Sequence, residues 1–86
     1  MRDSDPILSG GQGERAFRLY EPVRRDGRFE CRVVILERGA LLWEQAIFGE
    51  DRNNAIHCAL ISLNGFFDDL RLPPVAVARA MDGPVG

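Results

Sequence analysis

The stretch VRRDGRFECRVVILERGALLWEQAIF, residues 23–48, decides how this chain folds. Asp26–Gly27 is a strong hairpin signal, because a two-residue turn between strands needs positive φ at its centre. In RFECRVVIL, residues 28–36, Phe29, Cys31, Val33 and Ile35 fall on one face, the period-two pattern of a strand. ERG, residues 37–39, is a second turn, and ALLWEQAIF, residues 40–48, reads as another strand. Upstream, ERAFRLYEP, residues 14–22, alternates too, with Phe17 and Leu19 on one face and Arg18 and Tyr20 on the other.

Downstream the period changes. Gly49 breaks the strand and Asp51 is placed to cap a helix, with acidic Glu50 beside it. From Arg52 to about Leu70, apolar residues recur at 55, 56, 59, 60, 63, 66, 67 and 70, one broad helical stripe. Pro73 and Pro74 cannot continue it. The pattern predicts an α+β fold: a three-stranded antiparallel β-meander with one long α-helix packed on one face, in two layers. Residues 1–13, rich in Gly, Ser, Asp and Pro, read as a flexible lead-in, residues 14–72 as the β-β-β-α domain, and residues 73–86 as a C-terminal appendage. In that appendage VAVARAM, 75–81, is apolar.

Eighty-six residues at 45% hydrophobic and 28% charged build one small domain. All eleven basic residues are Arg, with no Lys, which reads as the codon usage of a GC-rich bacterial genome. The net charge of −2 argues against attraction of the whole chain to nucleic acid or anionic lipid. No apolar run approaches membrane-spanning length and the N-terminus lacks a signal-peptide core, so the expected location is cytoplasmic, away from membranes. Cys31 and Cys58 are then expected as free thiols.

His57, the single histidine, adjoins Cys58. A Cys–His nucleophile needs the ring within hydrogen-bond reach of the sulfur, yet neighbours on a helix diverge by about 100°. Zinc takes about four ligands at defined spacing, and Ile61, Asn64 and Asp68 on the His57 flank supply a poor set. No catalytic residue, metal or cofactor is assigned; a thiol enzyme using Cys58 and His57 is the least favoured reading. Cys58 belongs instead with Ala55, Ser62 and Gly65, a stripe of small residues suited to close helix contact.

Arg24, Arg25 and Arg28 surround the first hairpin and are the candidate nucleic-acid contacts. Interspersed Glu21, Asp26 and Glu30 favour a solvated ion-pair lattice over an RNA surface. The glycines at 10, 11 and 13 lack the Lys-Ser/Thr of a phosphate loop. Asp68–Asp69 is an acidic pair at the expected helix end.

One helix covers one face of a sheet. The other face receives Tyr20, Val34 and Leu36, with either Leu41, Trp43 and Ile47 or Leu42, Ala46 and Phe48, since both phases of that strand are apolar. A second apolar surface is therefore expected, covered by residues 75–86 or by another chain, with Trp43 or Phe48 in or beside the contact.

The order FRLYEPVRRDGRFECRVVI…AIFGEDRNNAIHCAL resembles a family of small uncharacterised bacterial β-β-β-α proteins, a domain of unknown function, sharing an F.CRV strand, an FG.D turn and an apolar helix. The likeness spans about residues 14 to 70, and Asn53, Asn54 and His57 depart from the family's Ala/Leu-rich helix start. It implies the fold and transfers no activity.

The expected function is a small non-enzymatic protein-interaction module. It self-associates as a homodimer, or caps or inhibits a protein partner as an immunity protein does. The expected partner-binding residues are Tyr20, Val34, Leu36, Trp43, Phe48, Cys58, Ser62 and Gly65. The alternative is a nucleic-acid-associated regulator using the Arg hairpin.

Overall fold

The computed structural model describes residues 5–68, 70 and 72–82. Its elements are β1 (Leu8–Gln12), β2 (Arg15–Leu19), β3 (Val23–Arg25), β4 (Arg28–Glu37), β5 (Ala40–Gly49), α1 (Arg52–Ser62), a 3-10 turn over Leu63–Gly65, and α2 (Pro74–Asp82). Every strand pairing is antiparallel. β4 is the axis of the sheet. β2 and β3 follow one another along one side of it, β5 takes the other side, and β1 flanks β2.

Tight turns set this register. Asp26 and Gly27 have φ of 53° and 81°, and Arg38 and Gly39 have 53° and 83°. Positive φ at both central residues gives a turn whose twist matches that of the flanking strands. The β3–β4 and β4–β5 hairpins therefore form where the sequence puts them.

The predicted three-stranded meander with one helix is overturned: the sheet has five strands and there are two helices. The lead-in contains β1, pairing Leu8 with Leu19 and Gln12 with Arg15. Its LSGGQ has no strand propensity, but the glycines serve packing. A Cβ on Gly10 would lie 3.0 Å from the Phe17 ring, and one on Gly11 would lie 2.6 Å from the Arg15 carbonyl oxygen.

The expected strand over 14–22 ends at Leu19. β2 pairs with Val33–Glu37, and the chain resumes as β3 along Arg28–Glu30 of the same strand. Between them lies Pro22, which has no N–H for the ladder. At the break Tyr20 N–H donates to the Arg32 carbonyl at 3.0 Å, and the Cys31 thiol donates to the Tyr20 carbonyl at 3.3 Å.

The helix stops eight residues short of Leu70. α1 starts as expected: the Asp51 carboxylate accepts from Asn54 N–H at 2.8 Å, and Asn54 Oδ1 accepts from Glu50 N–H at 3.0 Å. The first bond satisfies an amide that the helix leaves open, and the second fixes the chain just before the cap. After the 3-10 turn the chain leaves the axis, so Phe66 and Phe67 pack from irregular backbone. Phe67 meets Phe17 edge-on at 6.0 Å, and Phe66 lies 4.7 Å from Trp43.

The core lies between one sheet face and the helices. Phe17, Leu19, Cys31, Val33 and Ile35 meet Ala55, Ile56, Ala59 and Leu63, all fully buried. The appendage forms α2, which joins the same layer through Ala80 and half-buried Ala76, Val77 and Met81. Arg52 secures it: Nη1 donates to the Ala80 and Met81 carbonyls at 2.8 and 3.2 Å, while Nε and Nη2 hold the Glu21 carboxylate at 2.6 and 2.8 Å. One guanidinium thus joins the β2–β3 break, the start of α1 and the end of α2.

Candidate functional site

The two thiols, Cys31 and Cys58, are both free. Cys31 is fully buried, and burial, followed by the nearby Glu21 carboxylate, pushes its thiol up to about 12 from an ordinary 9.0. A thiolate does not form there near neutral pH. Cys58 is half-buried and His57 exposed on adjacent positions of α1, and no hydrogen bond joins them. No group of three or more His, Cys, Asp or Glu side chains could hold a metal ion among the described residues.

The residues of the small-residue stripe differ in burial. Ala55 is buried in the core, Cys58 and Ser62 are half-buried, and the Ser62 hydroxyl donates back to the Ala59 carbonyl at 2.6 Å. Gly65 lies in the 3-10 turn, exposed, with nothing within 4 Å of where a Cβ would be. Asp68 is exposed, while Asp69, like residues 1–4, 71 and 83–86, lies outside the described residues.

The sheet face away from the helices carries Tyr20, Val34 and Leu36, as its alternation requires. The phase of β5 is settled by its register: Cys31 faces Ile47, Val33 faces Gln45 and Ile35 faces Trp43. Ile47 and Trp43 therefore point toward the helices, and Ala46 and Phe48 point away. A bulge follows. Leu36 faces Leu41, so Leu42 is an extra residue with no partner on β4, and neither uninterrupted alternation applies. Trp43, expected at a contact on the open face, instead packs on Phe66 beneath the helical layer.

The open face is more polar than its hydrophobic count suggests. Arg32 lies over the Tyr20 ring at 4.7 Å and Arg28 over Phe48 at 4.6 Å. Arg32 also pairs with Glu44 at 3.4 Å, and Arg25 with Glu30 at 2.7 Å. These side chains lean their stems on apolar surface and keep their charges in water. A concavity of about 550 Å³ opens at the β2–β3 break, lined by Tyr20, Glu21, Val23, Arg25, Glu30 and Arg32. Of the hairpin arginines, Arg25 is tied to Glu30 and Arg28 covers Phe48; Arg24 is exposed on the helix-facing side, opposite Phe29.

Exposed large apolar side chains include Val23 on β3, Ile61 on α1 and Val75 on α2, and three more lie along β5. Leu41 is 60% exposed, Leu42 47% and Phe48 44%. This ten-residue strand pairs only with β4 among the described residues. Its outer backbone can be assigned. Tyr20 N–H bonds the Arg32 carbonyl and Arg38 N–H the Glu14 carbonyl, so even-numbered residues of β4 face β2. Odd-numbered ones then face β5, and their partners Trp43, Gln45 and Ile47 bond inward. Glu44, Ala46 and Phe48 point N–H and C=O outward, with no strand among the described residues to receive them. The sequence did not reveal this row, because an edge exists only once the strand order is known.

No family model, no curated protein and no solved structure matches the chain.

Proposed function

We propose that this chain is a non-enzymatic protein-interaction module that docks through β5 and the open sheet beside it. The observation that carries the reading is the outer edge of β5, where unpaired backbone groups adjoin exposed Leu41, Leu42 and Phe48. Natural edge strands are normally shortened, charged or interrupted by proline to prevent such pairing. β5 has ten residues, one charge and no proline. Its bulge lies near one end and leaves Trp43–Gly49 regular. An added strand would satisfy the row of amides, and the leucines would supply apolar contact. Self-association and the capping or inhibition of another protein, as an immunity protein does, are the two forms this docking would take.

The test compares the protein with a Leu42→Glu/Phe48→Glu variant. The expected result is that the wild type binds an apolar dye and exchanges its Glu44, Ala46 and Phe48 amides quickly unless associated. The variant keeps the fold and loses the dye. A wild type without dye binding, and with these amides protected in a monomer, refutes the reading. A regulator acting on nucleic acid is the other outcome. Arg18, Arg25, Arg28 and Arg32 outnumber Glu30 and Glu44 on the open face, but the ion pairs and ring stacking above occupy most of them. Sub-micromolar RNA affinity at physiological salt, lost in Arg28→Ala/Arg32→Ala, would establish it instead.

A further inference from the structure

The proposed interaction reading leaves the occupant of the β5 edge open, and resting on that reading we infer that it is a second copy of this chain, joined antiparallel about a two-fold axis at Gln45. An antiparallel pair related by a two-fold places residue i opposite a residue of the same face, so the axis passes through a single residue. Centring it on Glu44 sets that carboxylate against itself, a like-charge clash. Centring it on Ala46 sets Glu44 against Phe48 and Trp43 against Gly49 of the other copy. Centring it on Gln45 sets Glu44 against Ala46 and Trp43 against Ile47, and brings exposed Leu42 at the bulge toward exposed Phe48.

This register also fits the backbone and the charges. Glu44, Ala46 and Phe48 are residues whose N–H and C=O point outward, so Glu44 and Ala46 form hydrogen-bonded pairs on each side of the axis. Ala46 faces Arg32 on β4, so its small side chain leaves each Glu44 a path to the second copy's Arg32 while its own Arg32 stands at 3.4 Å. At the axis, Gln45 points to the helix side yet is exposed. The only charged residue of β5 is therefore complemented, and the sheet becomes continuous through ten strands.

The experiment uses sedimentation and cysteine trapping on the full chain. The wild type is expected at twice 9.6 kDa. Gln45 would form a non-hydrogen-bonded pair with its own copy, the spacing that accepts a disulfide. Gln45→Cys in a Cys58→Ser background is therefore expected to form a covalent dimer under mild oxidation. Ala46→Glu places a carboxylate opposite Glu44 twice per dimer and should weaken association about tenfold or more. Adding Glu44→Arg to Ala46→Glu should restore it, which a merely misfolded variant would not do. A monomer at high micromolar concentration whose Glu44, Ala46 and Phe48 amides exchange freely overturns the second copy but leaves the interaction reading standing. A monomer with those amides protected overturns both. A dimer indifferent to Ala46→Glu, with no Gln45→Cys disulfide, overturns the register.

Discussion

Cys31 shows how little a residue type says before its surroundings are known. On the strand pattern it is one of four inward residues, and the structure adds a fully buried thiol donating to the Tyr20 carbonyl. In the folded state its pKa is raised from 9.0 to about 12, so the native protein holds this proton more tightly than the unfolded chain. The associated stability is complete below pH 9 and is lost as pH rises from about 9 to about 12. Urea titrations of the wild type and Cys31→Ala should show the advantage of the wild type shrinking across that window. A constant difference would contradict the burial argument. For the same reason a thiol reagent should modify Cys58 and spare Cys31 in the native state at pH 8, and reach both in urea.

At the scale of elements, close approach and single staples matter more than propensity. Gly49 reads in the sequence as a strand breaker, and the structure gives a stronger reason. A Cβ there would lie 2.3 Å from the Ala55 nitrogen and 2.6 Å from its Cα, so α1 could not close on β5. Gly49→Ala should cost about 1–3 kcal/mol or more by forcing backbone apart, read from the urea midpoint. Gly65→Ala should be neutral or slightly stabilising, because that site is open. Arg52 is held more firmly protonated than usual by its hydrogen bonds to Glu21, and it ties α2 to the β2–β3 break. Arg52→Ala should cost about 1–3 kcal/mol and speed amide exchange in α2. Arg52→Lys should recover little, since an ammonium cannot hold a carboxylate and two carbonyls in one plane.

Taken whole, the chain is as compact as a single domain of its length, with a radius of gyration of 12.5 Å against about 12 Å expected. Yet all of its described helix lies on one side of the sheet. α2 joins α1 and leaves the opposite face open, so the fold-back of the tail that could have sealed that face does not occur through residue 82. Among the described residues no helix is long and apolar enough to cross a membrane. Phe48→Glu, outward at the β5 edge, should leave thermal stability within about 0.5 kcal/mol while reducing association in sedimentation. A large loss of stability would show that Phe48 serves the fold more than the surface.

The two positive-φ hairpins, the strands on either side of Arg38–Gly39, the Asp51 cap and the inward set Phe29, Cys31, Val33 and Ile35 are legible in the chain. Each rests on neighbours in the chain: a turn dipeptide, a side chain reaching three residues on, a period of two. The rest depends on contacts that exist only in the folded molecule. β1 has no propensity and exists because Phe17 covers Gly10. The first predicted strand divides because Pro22 cannot bond to β4, although Val23–Arg25 still can. The β5 phase is set by a bulge that two apolar registers concealed. The outer row of amides at Glu44, Ala46 and Phe48 is likewise a product of strand order, since whether a backbone group is paired depends on what lies beside it in space and not on its own residue type.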